Sequence, residues 1–280
     1  MEGSEQQEML ERWERAAAGW GKRAERVRDS SMPVSAWLLD HLELQPGQQV
    51  LELAAGPGDT GFMAAELIKP GGTLICSDWA EAMLEVARER ARELGIDNVE
   101  FKRLELEWID LPTASVDAAL CRWGVMLSVD PPAVLQECRR VLRPGGHFAL
   151  AVWDRPERNP WATTPGRALI ELGHAERPDP DAPGMFALAD PSRLKELLEA
   201  AGFAEVVVDS VEAPRTHESL NAYIEETLDL SRPFTEVYEA LSDEEQAEVR
   251  LQIEGLAGPF LEVDGSLRFP AASLVAAAGA

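Results

Sequence analysis

Cysteine is scarce in this chain of 280 residues: Cys76, Cys121 and Cys138 are the full complement. None belongs to a CxxC pair or stands beside a histidine at metal-ligand spacing, so neither a cysteine zinc site nor a disulfide framework is expected. All three fall in or near apolar runs, where buried thiols in a reducing compartment are the default. Histidine is nearly as rare. His41, His147, His174 and His217 form no metal pattern and no part of a Ser-His-Asp arrangement. No apolar run approaches about 18 residues, so no membrane span is expected. The acidic N-terminus, MEGSEQQEMLERWERAAAGW, lacks the apolar core of a signal peptide, and the cytoplasm follows by elimination. Basic residues are also few: 26 Lys and Arg against 50 Asp and Glu, a net charge of −24. That field repels phosphate backbones and anionic lipid, which argues against nucleic acid and membrane as partners and favours solubility.

What the chain does have is alternation. Met9, Trp13, Ala16, Ala17 and Trp20 recur at helical spacing, and a second helix is read over 33–42. Strands are predicted at 49–53, 73–77, 99–104, 116–121 and 146–153, with helices between most of them. Strands that alternate with helices of this length indicate βαβ units and a parallel sheet. A helix at 191–201 leads into a sixth strand at 204–211, and the apolar tail, 266–278, reads as one more strand. Residues 154–190 (rich in proline, among them Pro178 and Pro180) and 214–264 (acidic, mostly helical) interrupt the pattern. Excursions of that length are uncommon in a compact domain unless they serve as lids. The expected division is an N-terminal helical cap over 1–32 and one main domain over 33–280, with substrate-covering excursions at 154–190 and 214–264.

The chemistry concentrates at residues 52–61, Glu-Leu-Ala-Ala-Gly-Pro-Gly-Asp-Thr-Gly. Gly56, Gly58 and Gly61 form GxGxxG between a strand and a helix. Glycine lets the backbone turn tightly and approach a ligand, and the helix start offers unpaired N–H groups and a positive dipole end. Asp78 closes the next strand, where a carboxylate can accept both hydroxyls of a ribose. It also reads as a helix cap, since Asp78-x-x-Glu81 has the spacing of a capping box. Together these features indicate a nucleoside-bearing cofactor, and they do not by themselves separate NAD from S-adenosylmethionine (SAM). The 48 residues before the first strand, the turn Arg143-Pro144-Gly145-Gly146 before the fifth, and the extra strand after the sixth favour SAM.

At this point the chain resembles the class I SAM-dependent methyltransferases, in the ubiquinone/menaquinone-biosynthesis-like (methyltransferase type 11) branch. The resemblance is carried by VLELAAGPGDTG, SDWAEAMLEVARERA, LPTASVDAALCRWGVM and VLQECRRVLRPGGHFALAVW. It implies a doubly wound, seven-stranded Rossmann-like α/β sheet of order 3-2-1-4-5-7-6 with the last strand antiparallel. It implies an enzyme that takes SAM as cofactor, releases S-adenosylhomocysteine (SAH) and methylates a small molecule. An NAD-dependent oxidoreductase and a catalytically inactive SAM-fold binding protein are the competing functions.

The resemblance also assigns residues. Ala54, Ala55, Gly56 and Gly58 are expected at the methionine part of SAM, with Glu52 orienting its amino group. Asp78 is expected on the ribose and Trp79 on the adenine face, with Met83 on the helix that follows. Glu105 stands where the family usually has an aspartate for the adenine amine, and the Leu106 N–H reaches the ring. A carbonyl of Cys121 or Arg122 accepts from the SAM ammonium, although Arg122 equally reads as a surface residue. His174, His217 and Tyr223 are the candidates for a catalytic base, because they lie in the two excursions. No metal is expected.

Overall fold

The computed structural model describes residues 2–177 and 183–280; Pro178 and Pro180 lie outside the described residues. The chain opens with two helices, α1 (Glu2–Lys22) and α2 (Ala24–Asp40). The α/β core follows as β1 (Gln49–Leu53), α3 (Asp59–Leu67), β2 (Thr73–Asp78), α4 (Glu81–Leu94), β3 (Val99–Arg103), β4 (Val116–Arg122), α5 (Pro131–Val141) and β5 (Leu142–Trp153). Beyond it come α6 (Pro160–Glu171), α7 (Pro191–Ala200), β6 (Ala204–Glu212), β7 (Arg215–His217), α8 (Leu220–Leu230), α9 (Arg232–Glu239), α10 (Asp243–Ala257), β8 (Leu267–Phe269) and β9 (Ala272–Gly279).

Seven strands form one sheet in the order β3-β2-β1-β4-β5-β9-β6, which is the order expected, with β9 in the seventh strand's place. The first five strands run parallel, and β9 lies antiparallel to both of its neighbours. Residues 50–53 are all buried, as are 74–77 and 118–121, because helices cover both faces. Continuous apolar runs are the mark of such two-sided burial. The carboxyl ends of β1, β2 and β4 therefore open side by side.

Several boundaries differ from the sequence reading, among them that of β5, which begins at Leu142 instead of 146. The second helix begins at Ala24, and Pro33 sits inside it. Its buried face, which includes Val27, Ser31, Val34, Ser35 and Leu38, outweighs the one backbone hydrogen bond a proline removes. The apolar tail is two strands, parted around Pro270: β8 pairs with β7, and β9 enters the main sheet. The β7–β8 ribbon was missed because three residues carry too little periodicity to register. Last, α4 is not capped by Asp78. Its N-cap is Ala80, and the acceptor for its first turn comes from another helix, as described below.

A second apolar cluster joins α6, α8, α9 and α10 around Tyr223, Phe234, Tyr238 and Phe269. A third joins α1 to α4, through Ala16 and Ala17 against Ala80 and Met83.

Candidate cofactor site

Each glycine of the turn has a separate task. Gly58 is the N-cap of α3 and has φ +86°, a conformation that favours glycine; a Cβ there would meet the Phe62 ring at 2.5 Å. Gly61 admits the carboxyl of Glu52: a Cβ would lie 2.0 Å from Oε2, while the Gly61 N–H donates to Oε1 at 2.8 Å. Gly56 uses its N–H, which donates to Asp78 Oδ2 at 2.9 Å and ties the turn to the end of β2. The other Asp78 oxygen accepts from the Ala80 N–H at 3.0 Å. Burial raises the Asp78 carboxyl to about 6 against these hydrogen bonds.

These elements frame a cleft at the carboxyl edge of the sheet. Ala54, Ala55, Gly56 and Pro57 form its floor, with Asp78, Trp79 and Met83 on one side and Leu104 and Leu106 beyond them. Arg122, Trp123 and Gly124 bring in the end of β4, and Met9, Trp13 and Trp20 of α1 close the top. Ligands in open α/β sheets bind at this edge, where the strand order reverses between β1 and β4. The apolar side chains over two backbone turns suit a flat base and an aliphatic chain, with few polar groups for orientation.

Several residues singled out in the sequence stand outside this lining. Glu52 is buried beneath the turn, and desolvation pushes its carboxyl up to about 8. Gly58 faces Phe62, Glu105 is exposed, and the Cys121 thiol is fully buried, with burial pushing it up to about 12. His174 ends the turn after α6, where its N–H donates to the Leu169 carbonyl. His217 and Tyr223 are buried in the second apolar cluster. The His217 ring lies edge-on to Tyr223 at 5.0 Å, and the Tyr223 hydroxyl donates to the Trp161 carbonyl. Burial lowers His217 to about 4 and raises the Tyr223 phenol. None of the three lines the cleft.

Several lining residues escaped the sequence reading, among them Glu107, Trp123 and the segment 127–129. Glu107 lines the cleft and accepts from the Ser128 hydroxyl at 2.6 Å. Trp123 stacks on Trp153 at 4.1 Å, Trp153 meets Trp161 edge-on at 5.1 Å, and the Arg215 guanidinium lies 3.9 Å from the Trp161 ring. The cleft thus abuts an aromatic row that reaches toward the second cluster. Only the run Cys121-Arg122-Trp123-Gly124 at a strand end hinted at this. No group of three or more potential metal ligands occurs among the described residues. No helix among them is long and apolar enough to cross a membrane.

Arg122 Nη1 and Trp20 Nε1 belong to cleft-lining residues and have no hydrogen-bond partner among the described residues. The backbone turn at 54–57, the strand-end carboxylate of Asp78 and the apolar walls give a cradle that fits SAM.

A seven-stranded sheet of this order, with a glycine turn and a strand-end carboxylate at one cleft, is the architecture of the class I SAM-dependent methyltransferases. A family model described as a methyltransferase domain matches residues 44–202, more than half of the chain, and the chain belongs to that family. It is 32% identical over 183 residues to nocamycin O-methyltransferase of Saccharothrix syringae, covering 62% of this chain and 65% of that protein. It is 28% identical over 172 residues to the ubiquinone/menaquinone biosynthesis C-methyltransferase UbiE of Shewanella sp. (strain W3-18-1), covering 58% and 68%. The chain therefore spans about two thirds of the length of these relatives. Among solved structures, a SAM-dependent methyltransferase from Aquifex aeolicus is similar in fold, with a TM-score of 0.50 and 22% identity over 71% of this chain and 92% of that one.

Proposed function

We propose that this chain binds SAM and transfers its methyl group to a small, largely apolar acceptor. The observation that carries the reading is the cleft itself: Ala54–Pro57, Asp78–Trp79, Leu104 with Leu106, and Arg122–Gly124 converge under α1. SAM, when bound, supplies a methyl group on a positively charged sulfur, which needs only an aligned nucleophile. Holding the two partners in line accounts for much of the rate enhancement in such reactions. Asp78 is assigned to the ribose hydroxyls, and Trp79 with Leu106 to the base. Arg122 and Trp20 are placed at the amino-acid end.

The acceptor side is read from the rest of the lining. Met9, Trp13, Leu127 and Val129 are apolar, and Glu107 is the carboxylate among them. A net charge of −24 further disfavours a polyanionic acceptor. The two curated relatives act, by their names, on nocamycin and in quinone biosynthesis, which agrees with a small-molecule acceptor. With His174, His217 and Tyr223 away from the cleft, Glu107 is the group placed to take a proton from an acceptor. In this reading α1 is the working lid of the N-terminal cap, while residues 214–264 hold α1 from behind through ion pairs of Lys22 and Arg23 with Asp229.

The test is a methyl-transfer assay with labelled SAM against hydroxylated aromatics and enols, paired with calorimetry of SAH and NADH. Transfer of label to an organic-soluble product supports the reading. Tight SAH binding without transfer to any acceptor favours the inactive binding protein, and preferential NADH binding favours the oxidoreductase.

A further inference from the structure

Two polar side chains of the cleft lining are joined to each other. The Ser128 hydroxyl donates to Glu107 Oε1 at 2.6 Å, and both residues line the cavity floored by the glycine turn. Ser128 Oγ in turn accepts from the Asp130 N–H at 2.9 Å, while the Asp130 carboxylate caps α5 through the Ala133 N–H. Glu107 is steadied by α5 as well. Two residues on, the Ile109 N–H donates to Glu137 Oε2 at 2.9 Å, and Arg140 Nη2 donates to the Ile109 carbonyl at 2.7 Å. Both members of the pair are therefore tied to one helix, although Glu107 follows β3 and Ser128 follows β4. A loop carboxylate supported in this way is held in place before any ligand arrives.

The bonding fixes which atoms remain for a ligand. The one proton of the Ser128 hydroxyl is committed to Glu107, and one lone pair is committed to Asp130. What is left on that oxygen is a lone pair. Glu107 Oε2 accepts from no group among the described residues, and an ionised carboxylate has no proton to give. The pair thus offers hydrogen-bond acceptors and no donor. Met9, Trp13, Leu127 and Val129 in the same lining are apolar. The complement is a small molecule with an apolar body and one group that donates a hydrogen bond. We infer that Ser128 binds the hydroxyl of a neutral phenol or enol and relays its proton to Glu107. This rests on the SAM reading and narrows it to O-methylation. In the step, an oxygen lone pair of the phenol or enol forms the new C–O bond as the C–S bond breaks, and that electron pair stays on sulfur. The hydroxyl proton moves to Ser128 Oγ, and the Ser128 proton moves to Glu107 Oε1. The products are a methyl ether, SAH and a protonated Glu107, which returns its proton to water.

Calorimetry and absorbance on the full chain saturated with SAH test the assignment, using three probes of one skeleton: 4-nitrophenol, its methyl ether 4-nitroanisole, and 4-nitroaniline. At a pH where the phenol is neutral, wild type should bind 4-nitrophenol about tenfold tighter than 4-nitroanisole, as expected for a hydrogen bond that ends on a charged group. At the pH where the free phenol is half ionised, the bound probe should stay in its neutral, colourless form, because a neighbouring carboxylate opposes a second negative charge. Ser128→Ala and Glu107→Gln should each lose most of the preference by weakening the phenol and not the ether. Ser128→Thr, which keeps the hydroxyl, should retain it. In Glu107→Gln the bound phenol should ionise as it does in water. Equal binding of phenol and ether by wild type overturns the inference, and so does the absence of binding by either. Tighter binding of 4-nitroaniline than of 4-nitrophenol overturns it in favour of an amine. A Ser128→Ala chain that weakens all three probes alike would make Ser128 a support of its loop, which also overturns it. If SAH itself fails to bind wild type, the SAM reading falls, and the inference with it.

Discussion

Glu14 caps the helix that Glu81 begins: its Oε1 accepts from the Glu81 N–H at 2.8 Å, and its Oε2 accepts from the Ala82 N–H at 2.9 Å. The first N–H groups of a helix need external acceptors, and an anion there also meets the positive end of the dipole. Here the acceptor comes from α1, so the helix proposed as the lid is fastened to the element that follows Asp78 and Trp79. Removing it should loosen α1. Glu14→Ala should cost about 1 kcal/mol of stability, the usual loss for a cap. SAH affinity should fall with it, as read by thermal denaturation with and without ligand. Unchanged stability together with unchanged affinity would show that the cap does not hold the lid.

Hydrogen exchange should report the same fastening. Adding SAH should slow exchange in α1 and in the loops around 54–58, 104–107 and 122–129, because a lid that closes on a ligand loses local opening. The cluster of α8, α9 and α10 should change little, since none of its residues lines the cleft. Exchange in α1 that ignores SAH would place the lid elsewhere.

Asp78 holds the fold with one oxygen on Gly56 and the other on Ala80, and in the proposed function it also meets the ribose. Asp78→Ala should therefore lower SAH affinity by about 1–3 kcal/mol and also reduce stability, since two backbone donors lose their acceptor. Asp78→Asn, which keeps one acceptor, should lose affinity with a smaller loss of stability. Titration calorimetry beside denaturant unfolding separates the two effects. Normal SAH affinity in a folded Asp78→Asn chain would remove the residue from the ribose.

The close approach of Gly61 and Glu52 predicts a large effect from one methyl group. Gly61→Ala puts a Cβ against the buried carboxyl and should cost about 1–3 kcal/mol, in the range of overpacked cores. Shortening the acid in the same chain, Gly61→Ala with Glu52→Asp, should recover part of that loss. Additive losses in urea unfolding would show that the two residues do not share the space.

Glu52 also predicts a pH dependence. Its carboxyl is held at about 8 in the native chain against an ordinary value near 4.5, so the native state keeps a proton that the unfolded chain releases. Its contribution to stability is full below about pH 4.5 and is lost as pH rises toward 8. His217 acts at the other end: lowered to about 4 from 6.5, it costs stability as pH falls from 6.5 to 4. Glu52→Gln should flatten the decline in Tm between pH 5 and 8 and leave the acid limb intact. An unchanged alkaline limb would mean that another group titrates there.

The sheet and the glycine turn were legible because their signals are local. Apolar runs at 50–53, 74–77 and 118–121 and the glycines at 56, 58 and 61 lie within single elements, and short-range backbone sterics read them directly. The excursions were legible only as interruptions. Their histidines and Tyr223 invited a catalytic reading because residue type is visible in a sequence and burial is not. In the fold, His217 and Tyr223 pack against Phe269, and the apolar surroundings that shift their protonation also keep them from the cleft.

The sequence by itself determined the class of fold, the edge of the sheet at which a ligand sits, and the Asp78 that meets the turn. Each follows from the spacing of residues within one βαβ unit. Tertiary structure alone decided that Glu14 caps α4, that the buried Arg122 side chain meets Asp59 beside the cleft, and that Glu107 and Ser128 hydrogen-bond in its lining. These relationships join residues 21 to 68 positions apart or lie on elements from separate parts of the chain. Their formation depends on how α1 and the strand ends close over one another, a geometry set by packing in three dimensions that no local pattern encodes.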